Sequence, residues 1–283
     1  MAASYAELPN RLISGANGVD YAYRDAGPTA GGVPLVLLQH FRGNLDSWDP
    51  ALIDALATDR RVVTFDNVGV GGSTGTTPGT VTQMASDAIA FLEAMEFDQV
   101  DLLGFSIGSF VAQEIALIRP ALVQRLVLAS SAPQGAAGMH GWAPEVIGAV
   151  GAPAPNPGGY LDVFFTPSAE SRQSGIEALG RMAARSEDRD QPTTWQTRQA
   201  QYDAVCAWGI PDHALLQRVS AIEMPVFVAN GDSDPMILPR YSHLLAGLIP
   251  GARLKIFPDA AHGFLFQHHA EFAADVGGFL APH

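Results

Sequence analysis

The chain contains a single lysine, Lys255, and a single cysteine, Cys206, in 283 residues. With its one lysine outside any GxxxxGK[ST] run, a P-loop is excluded, and only one residue is open to Schiff-base chemistry. A lone cysteine cannot close an internal disulfide, so the fold does not depend on an oxidising compartment. Cys206 is expected to pack as a small buried apolar residue. Basic residues are scarce, 16 Lys+Arg against 29 Asp+Glu, a net charge of −13. That argues against a nucleic-acid partner, because phosphate binding needs clustered positive charge. No apolar run approaches the roughly 18 residues of a membrane span, so no membrane association is expected. The opening MAASYAELPNR lacks a basic start followed by an apolar core, so no secretory signal is expected and the cytoplasm is the expected location. HExxH is absent, and His268 and His269, being adjacent, cannot share one helix face. No metal site is therefore expected.

What is present is a large apolar fraction, 47% hydrophobic with only 16% charged residues. Such a chain is too apolar for disorder and long enough to bury a sizeable core. Residues 10–25 alternate apolar and polar around Asn17-Gly18, a pattern that predicts two antiparallel strands joined by a turn. Short, continuously apolar runs follow at 33–39, 61–65, 100–104, 126–129, 226–229 and 254–257. Runs of this kind suit strands buried on both faces of a parallel sheet. Helical spacing fills 80–96 and 107–119, with Pro120 closing the second. Strand-helix alternation predicts an α/β fold with helices on both faces of the sheet. The alternation fails over 134–224, which opens Gly- and Pro-rich, turns helical and polar, and holds three of the four tryptophans. The expected organisation is a core of 1–133 and 225–283, with 134–224 inserted as a helical cap over the carboxyl edge of the sheet, where ligands bind in open α/β sheets.

Gly104-Phe105-Ser106-Ile107-Gly108 is a GxSxG run. A strand (VDLL) leads into it and an amphipathic helix leads out, so the serine is expected on a tight strand-to-helix turn, projecting above the sheet. A serine hydroxyl is a poor nucleophile at neutral pH and needs a base held by an acid. His262, in DAAHG (259–263), follows the last predicted strand, at the correct end of the sheet, whereas His140, His213, His243, His268, His269 and His283 are worse placed. The preceding strand leads into GDSDP (231–235). Asp234, ahead of Pro235, is the expected acid, and Asp232 is the alternative, better suited to forming the turn. The Gly-rich run 69–75 invites a dinucleotide reading, but the third glycine of GxGxxG falls on Thr74 and no helix opens there. No cofactor is expected.

With these residues in view, the sequence resembles the α/β-hydrolase superfamily, of the capped esterase and cofactor-free haloperoxidase-like type. The resemblance rests on LLQHFRGN (37–44), the D-x-x-G-x-G-x-S run 66–73, GFSIGS (104–109), GDSDP and DAAHG, in the order Ser106, Asp234, His262. It implies a mostly parallel, eight-stranded sheet and an oxyanion hole formed by the backbone N–H groups of Ile107 and Phe41. The chain departs from the pattern at Gln39-His40, where the family usually has His-Gly. Arg42 either faces the pocket or pairs at the surface with Asp46 or Asp49. Phe164, Phe165, Trp142, Trp195 and Trp208 are expected as cap-side apolar walls, with Trp142 and Phe165 the candidates for contact with substrate. The resemblance implies hydrolysis of carboxylic esters of small or medium apolar substrates through an acyl-enzyme on Ser106. Lactone opening, cofactor-free perhydrolysis and a ligand-binding signalling role remain open. A small-molecule ester or lactone is the expected partner, and the oligomeric state is unknown. A serine at this turn argues against epoxide and haloalkane chemistry, because an alkyl-enzyme on serine has no carbonyl for water to attack.

Overall fold

A computed structural model describes residues 3–29, 32–153 and 156–281. Eight strands form one sheet: β1 (Arg11–Ser14), β2 (Asp20–Ala26), β3 (Leu35–Leu38), β4 (Val62–Phe65), β5 (Val100–Phe105), β6 (Val123–Ala129), β7 (Val226–Gly231) and β8 (Arg253–Phe257). Their order is β1-β2-β4-β3-β5-β6-β7-β8. The first two strands pair antiparallel, as the alternating 10–25 segment requires, and β2 pairs antiparallel with β4. Every pairing from β4 to β8 is parallel. The continuously apolar runs become the inner strands. Every residue of β3, β4, β5 and β7 is buried, because helices cover both faces of the sheet.

The helices expected after 80 and 107 are Val81–Ala94 and Ile107–Ile118. Thr80 caps the first, its Oγ1 accepting from the Gln83 N–H at 3.3 Å. Chain order places β4 on one side of β3 and β5 on the other. The strand order therefore reverses between β3 and β5, and the carboxyl ends of these two strands open the crevice where such sheets bind ligands.

Between β6 and β7 the described residues contain no strand and five α-helices: Pro144–Val150, Pro157–Phe164, Ala169–Met182, Trp195–Trp208 and His213–Gln217. Polar ties and aromatic contacts fix this segment to the rest. Arg181 grips Asp49 with two bonds of 2.8 and 2.7 Å. Asp259, in the loop after β8, accepts from the Thr166 and Ser168 hydroxyls, both at 2.6 Å. Trp208 stacks on Phe110 with centroids 5.1 Å apart, and its Nε1 donates to the Ala132 carbonyl. Cys206 is half-buried rather than part of the core. No helix among the described residues is long and apolar enough to cross a membrane.

Candidate active site

Sterics force the turn after β5. Ser106 sits at φ 58°, ψ −125°, a conformation that strains any residue with a side chain. Two glycines permit it. A Cβ at Gly104 would lie 2.4 Å from the Gly108 carbonyl oxygen, and one at Gly108 would lie 2.2 Å from the Leu38 carbonyl oxygen. The helix that opens at Ile107 takes no cap from the Ser106 side chain, so the hydroxyl is left for other work. The Ser106 N–H donates to Ala129 at 3.0 Å, and its carbonyl accepts from the Ser109 N–H at 2.8 Å. Ser109 Oγ donates to the same carbonyl at 2.5 Å and lies 2.6 Å from Ser131 Oγ, which in turn accepts from Gln113 Nε2 at 3.0 Å. With one proton per hydroxyl, the relay runs from Gln113 through Ser131 and Ser109 to the elbow carbonyl.

Asp234 lies beyond β7, and its position is over-determined. Oδ1 accepts from the N–H groups of Met236 and Ile237 at 2.8 and 3.0 Å. Oδ2 is 2.8 Å from His262 Nδ1. A carboxylate only accepts, so Nδ1 carries the proton and Nε2 holds the lone pair of the neutral ring. That Nε2 is buried without a protein partner. Asp232 does different work, accepting from the N–H groups of Asp259 and Ala260 at 3.0 and 3.3 Å. It thereby laces the β7 loop to the β8 loop and does not bond His262. Gly231 lets these loops touch, since a Cβ there would lie 2.2 Å from the Ala260 carbonyl oxygen. Ser130, at φ 47°, adds a tie to Asn230 Oδ1 at 2.8 Å and to the His262 carbonyl at 3.3 Å.

The structure thus joins acid to imidazole directly, whereas no hydrogen bond joins Ser106 Oγ to Nε2. Phe105, which precedes the serine, packs its ring 5.0 Å from the His262 ring, so the two side chains belong to one site. Catalytic hydrogen bonds commonly tighten only when substrate is bound. Neither the Phe41 nor the Ile107 N–H donates to any acceptor among the described residues, so both are free to meet an anionic oxygen.

A cavity of about 440 Å³ opens between the loop after β3 and the inserted helices, with His262, His40, Phe41, Arg42, Tyr160 and Phe164 in its wall. Ser106, 1% exposed, is not on its lining. Arg42 takes the pocket side of its two alternatives. It adopts φ 63° and gives Nη1 to the carbonyls of Val150 and Ala152, at 3.3 and 2.6 Å. The expected surface pairing fails because Asp46 is bonded by Arg24 at 2.6 Å and Asp49 by Arg181. Burial, then the nearby Arg198 charge, push the Arg42 guanidinium below its ordinary value.

Trp142 and Phe165 do not line this cavity. Trp142 packs edge-on against Phe41 with centroids 5.0 Å apart. Phe165, 1% exposed, sits where a Cβ on Gly175 would collide with it. Both are packing residues within the inserted segment. Phe164, the last residue of its helix, does line the cavity, and the backbone turns extended at Phe165, which carries the next ring elsewhere.

Three further cavity groups are not candidates for the site from sequence, although His40 stands out there as a departure from the family pattern. His40 Nδ1 lies 2.9 Å from the Phe41 carbonyl, and burial pushes the imidazole down to about 3. Its Nε2 and the Tyr160 hydroxyl are both buried without a protein partner. Burial holds the Tyr160 phenol well above its usual range. Asp190, on another wall of the cavity, is pushed up to about 6 by burial and then by Asp46.

Comparison with known proteins is consistent with this geometry. Residues 33–269 match the family model described as alpha/beta hydrolase fold. The chain is 27% identical over 254 residues to the pimeloyl-[acyl-carrier protein] methyl ester esterase of Aliivibrio salmonicida, covering 89% of this chain and 93% of that one. A solved alpha/beta hydrolase fold protein from Chitinophaga pinensis superposes with a TM-score of 0.92 at 36% identity, covering 99% of this chain and 100% of that one. A match to a Rhizobium rhizogenes protein, 35% identical, extends over 96 residues, so there the chain spans 36% of the relative's length.

Proposed function

The chain belongs to the alpha/beta hydrolase fold family, and on that premise we propose that it is a serine hydrolase of small or medium carboxylic esters. The observation that carries the proposal is the His262 ring. Its Nδ1 is committed to a fixed carboxylate at 2.8 Å, its Nε2 is buried without a protein partner, and its ring packs 5.0 Å from Phe105, the neighbour of a serine held at φ 58°. His262 takes the Ser106 proton through Nε2, and the hydroxyl oxygen attacks the ester carbonyl carbon. Asp234 holds the tautomer and stabilises the imidazolium that forms. The Phe41 and Ile107 N–H groups receive the developing oxyanion, where losing one donor typically costs about 10²–10³ in kcat. The tetrahedral adduct collapses and His262 gives its proton to the departing alkoxide. Water then enters, loses a proton to the same Nε2 and releases the acid from Ser106.

A cavity of about 440 Å³ suits a drug-sized or smaller substrate. The segment 134–224 serves as its cap. The ester-hydrolase name of the Aliivibrio salmonicida relative, over nearly its whole length, supports the choice of ester over other acyl compounds. The test is covalent. A fluorophosphonate probe is expected to label Ser106, and Ser106→Ala to lower kcat/KM on p-nitrophenyl acetate by about 10⁴ or more. Asp234→Asn is expected to keep the fold and lose most of the rate. Labelling at another residue, or an alanine variant as active as the parent, would remove the serine mechanism.

A further inference from the structure

The triad and the two N–H donors leave two buried polar atoms, on residues of the cavity wall, without a partner. His40 is 6% exposed and its ring is clamped by aromatic groups: Phe105 at 5.2 Å, Phe164 at 5.3 Å and Tyr160 at 6.5 Å between centroids. Its Nδ1 proton is committed to the Phe41 carbonyl at 2.9 Å, so its Nε2 can only accept. The Tyr160 hydroxyl is buried although its ring is partly exposed, and it too lacks a protein partner. The ring of Tyr160 is held by a stack on Phe164 at 3.8 Å. Both residues line the same cavity as His262. A buried polar atom left unpaired costs stability that a well-placed ligand restores. An acceptor and a group that can donate, on rings whose centroids are 6.5 Å apart, are complementary to a hydroxyl, which gives its proton to one and takes a proton from the other. An amide N–H would satisfy only the first.

We propose that His40 Nε2 and the Tyr160 hydroxyl form a specificity subsite that selects substrates bearing a hydroxyl group near the scissile carbonyl. The proposal rests on the ester-hydrolase reading for the chemistry, and on the cavity geometry alone for the recognition. His40 occupies the position where the family pattern usually has glycine, so the subsite belongs to this chain's own departure from that pattern.

The test compares methyl butanoate with methyl 3-hydroxybutanoate, hydroxylated on the acyl side, and ethyl butanoate with 2-hydroxyethyl butanoate, hydroxylated on the alcohol side. One hydroxylated ester is expected to show kcat/KM at least about tenfold above its plain partner. Tyr160→Phe, which removes a single oxygen, and His40→Phe are each expected to bring that ratio close to unity. The same pairs titrated calorimetrically into the Ser106→Ala variant give a second readout that needs no turnover. There the hydroxylated ester is expected to bind about tenfold tighter, and Tyr160→Phe to abolish the difference. Hydrolysis of all four esters without a hydroxyl preference overturns the subsite and leaves the hydrolase reading intact. A binding preference without turnover overturns the hydrolase reading and leaves the subsite. Ratios unmoved by Tyr160→Phe overturn the assignment of the subsite to these residues.

Discussion

Burying His40 as a neutral ring makes the stability of the protein depend on pH, and the size of the effect follows from its surroundings. An imidazole in the unfolded chain titrates near 6.5, whereas in the folded protein burial lowers His40 to about 3. The unfolded state therefore binds the extra proton over the window between those values. Stability linked to His40 is complete above about pH 6.5 and is lost as pH falls toward 3, at a limiting slope of about 1.4 kcal/mol per pH unit. From pH 7 to pH 5 the loss is about 2 kcal/mol. Other buried groups work in the opposite direction. Asp101 and Asp190 are each raised to about 6, mainly by burial, so the folded state takes up their protons first and is stabilised as pH falls through that region. The net slope of the parent protein therefore does not isolate His40, but a difference between two proteins does. His40→Phe keeps a ring among the aromatic neighbours and removes the titration. Urea unfolding of parent and variant at pH 7, 6 and 5 should show the stability difference moving in favour of the variant by about 2 kcal/mol between pH 7 and 5. A difference that stays constant over that range would mean that His40 is not held neutral, and the acceptor role of its Nε2 would fall with it.

Two further perturbations test the geometry of the site. A Cβ at Gly108 would meet the Leu38 carbonyl oxygen at 2.2 Å, whereas one at Gly148 meets nothing within 4 Å. Gly108→Ala is accordingly expected to destabilise the protein by about 1–3 kcal/mol and to cut ester turnover, while Gly148→Ala, inside the helix Pro144–Val150, is expected to stabilise by up to about 1 kcal/mol. Denaturant melts read both, and equal effects would mean that the elbow does not need its glycine. Because Arg42 binds carbonyls of the inserted segment at 3.3 and 2.6 Å, Arg42→Ala should raise KM for neutral and anionic esters alike. A rise confined to anionic esters would show instead that the guanidinium meets the substrate.

The parts of the molecule legible in the sequence are those governed by local sterics and short-range periodicity. Continuous apolar runs mark strands buried on both faces, and β3, β4, β5 and β7 are buried throughout. The glycines of GxSxG mark a turn whose backbone tolerates no side chain at 104 or 108. Strand endings bring Asp234 and His262 to one edge, and there the two meet at 2.8 Å. Strand ends are less legible. The run at 126–129 extends back to Val123, because Gln124 and Arg125, half-exposed, interrupt the apolar pattern without interrupting the ladder.

The wall of the cavity could not be read in this way, for a physical reason. Trp142, Phe164 and Phe165 are candidates on size alike, but which aromatic faces the cavity depends on where the helix Pro157–Phe164 ends and on long-range contacts. Phe164 is turned inward by its packing on His262 and His40, residues 98 and 124 positions away in the chain. Arg42 is decided by competition. Its acidic neighbours in sequence are claimed by Arg24, from β2, and by Arg181, from the inserted segment, and the carbonyls of Val150 and Ala152 take what remains. The same logic explains why His40 passed unnoticed as a recognition group. A histidine after β3 gains meaning only once residues distant in the chain, Phe105, Tyr160 and Phe164, surround its ring and leave its Nε2 buried without a partner. A chemically exacting subsite can therefore arise from two residues with no motif between them, and such sites must be sought among buried polar atoms that the fold leaves unpaired.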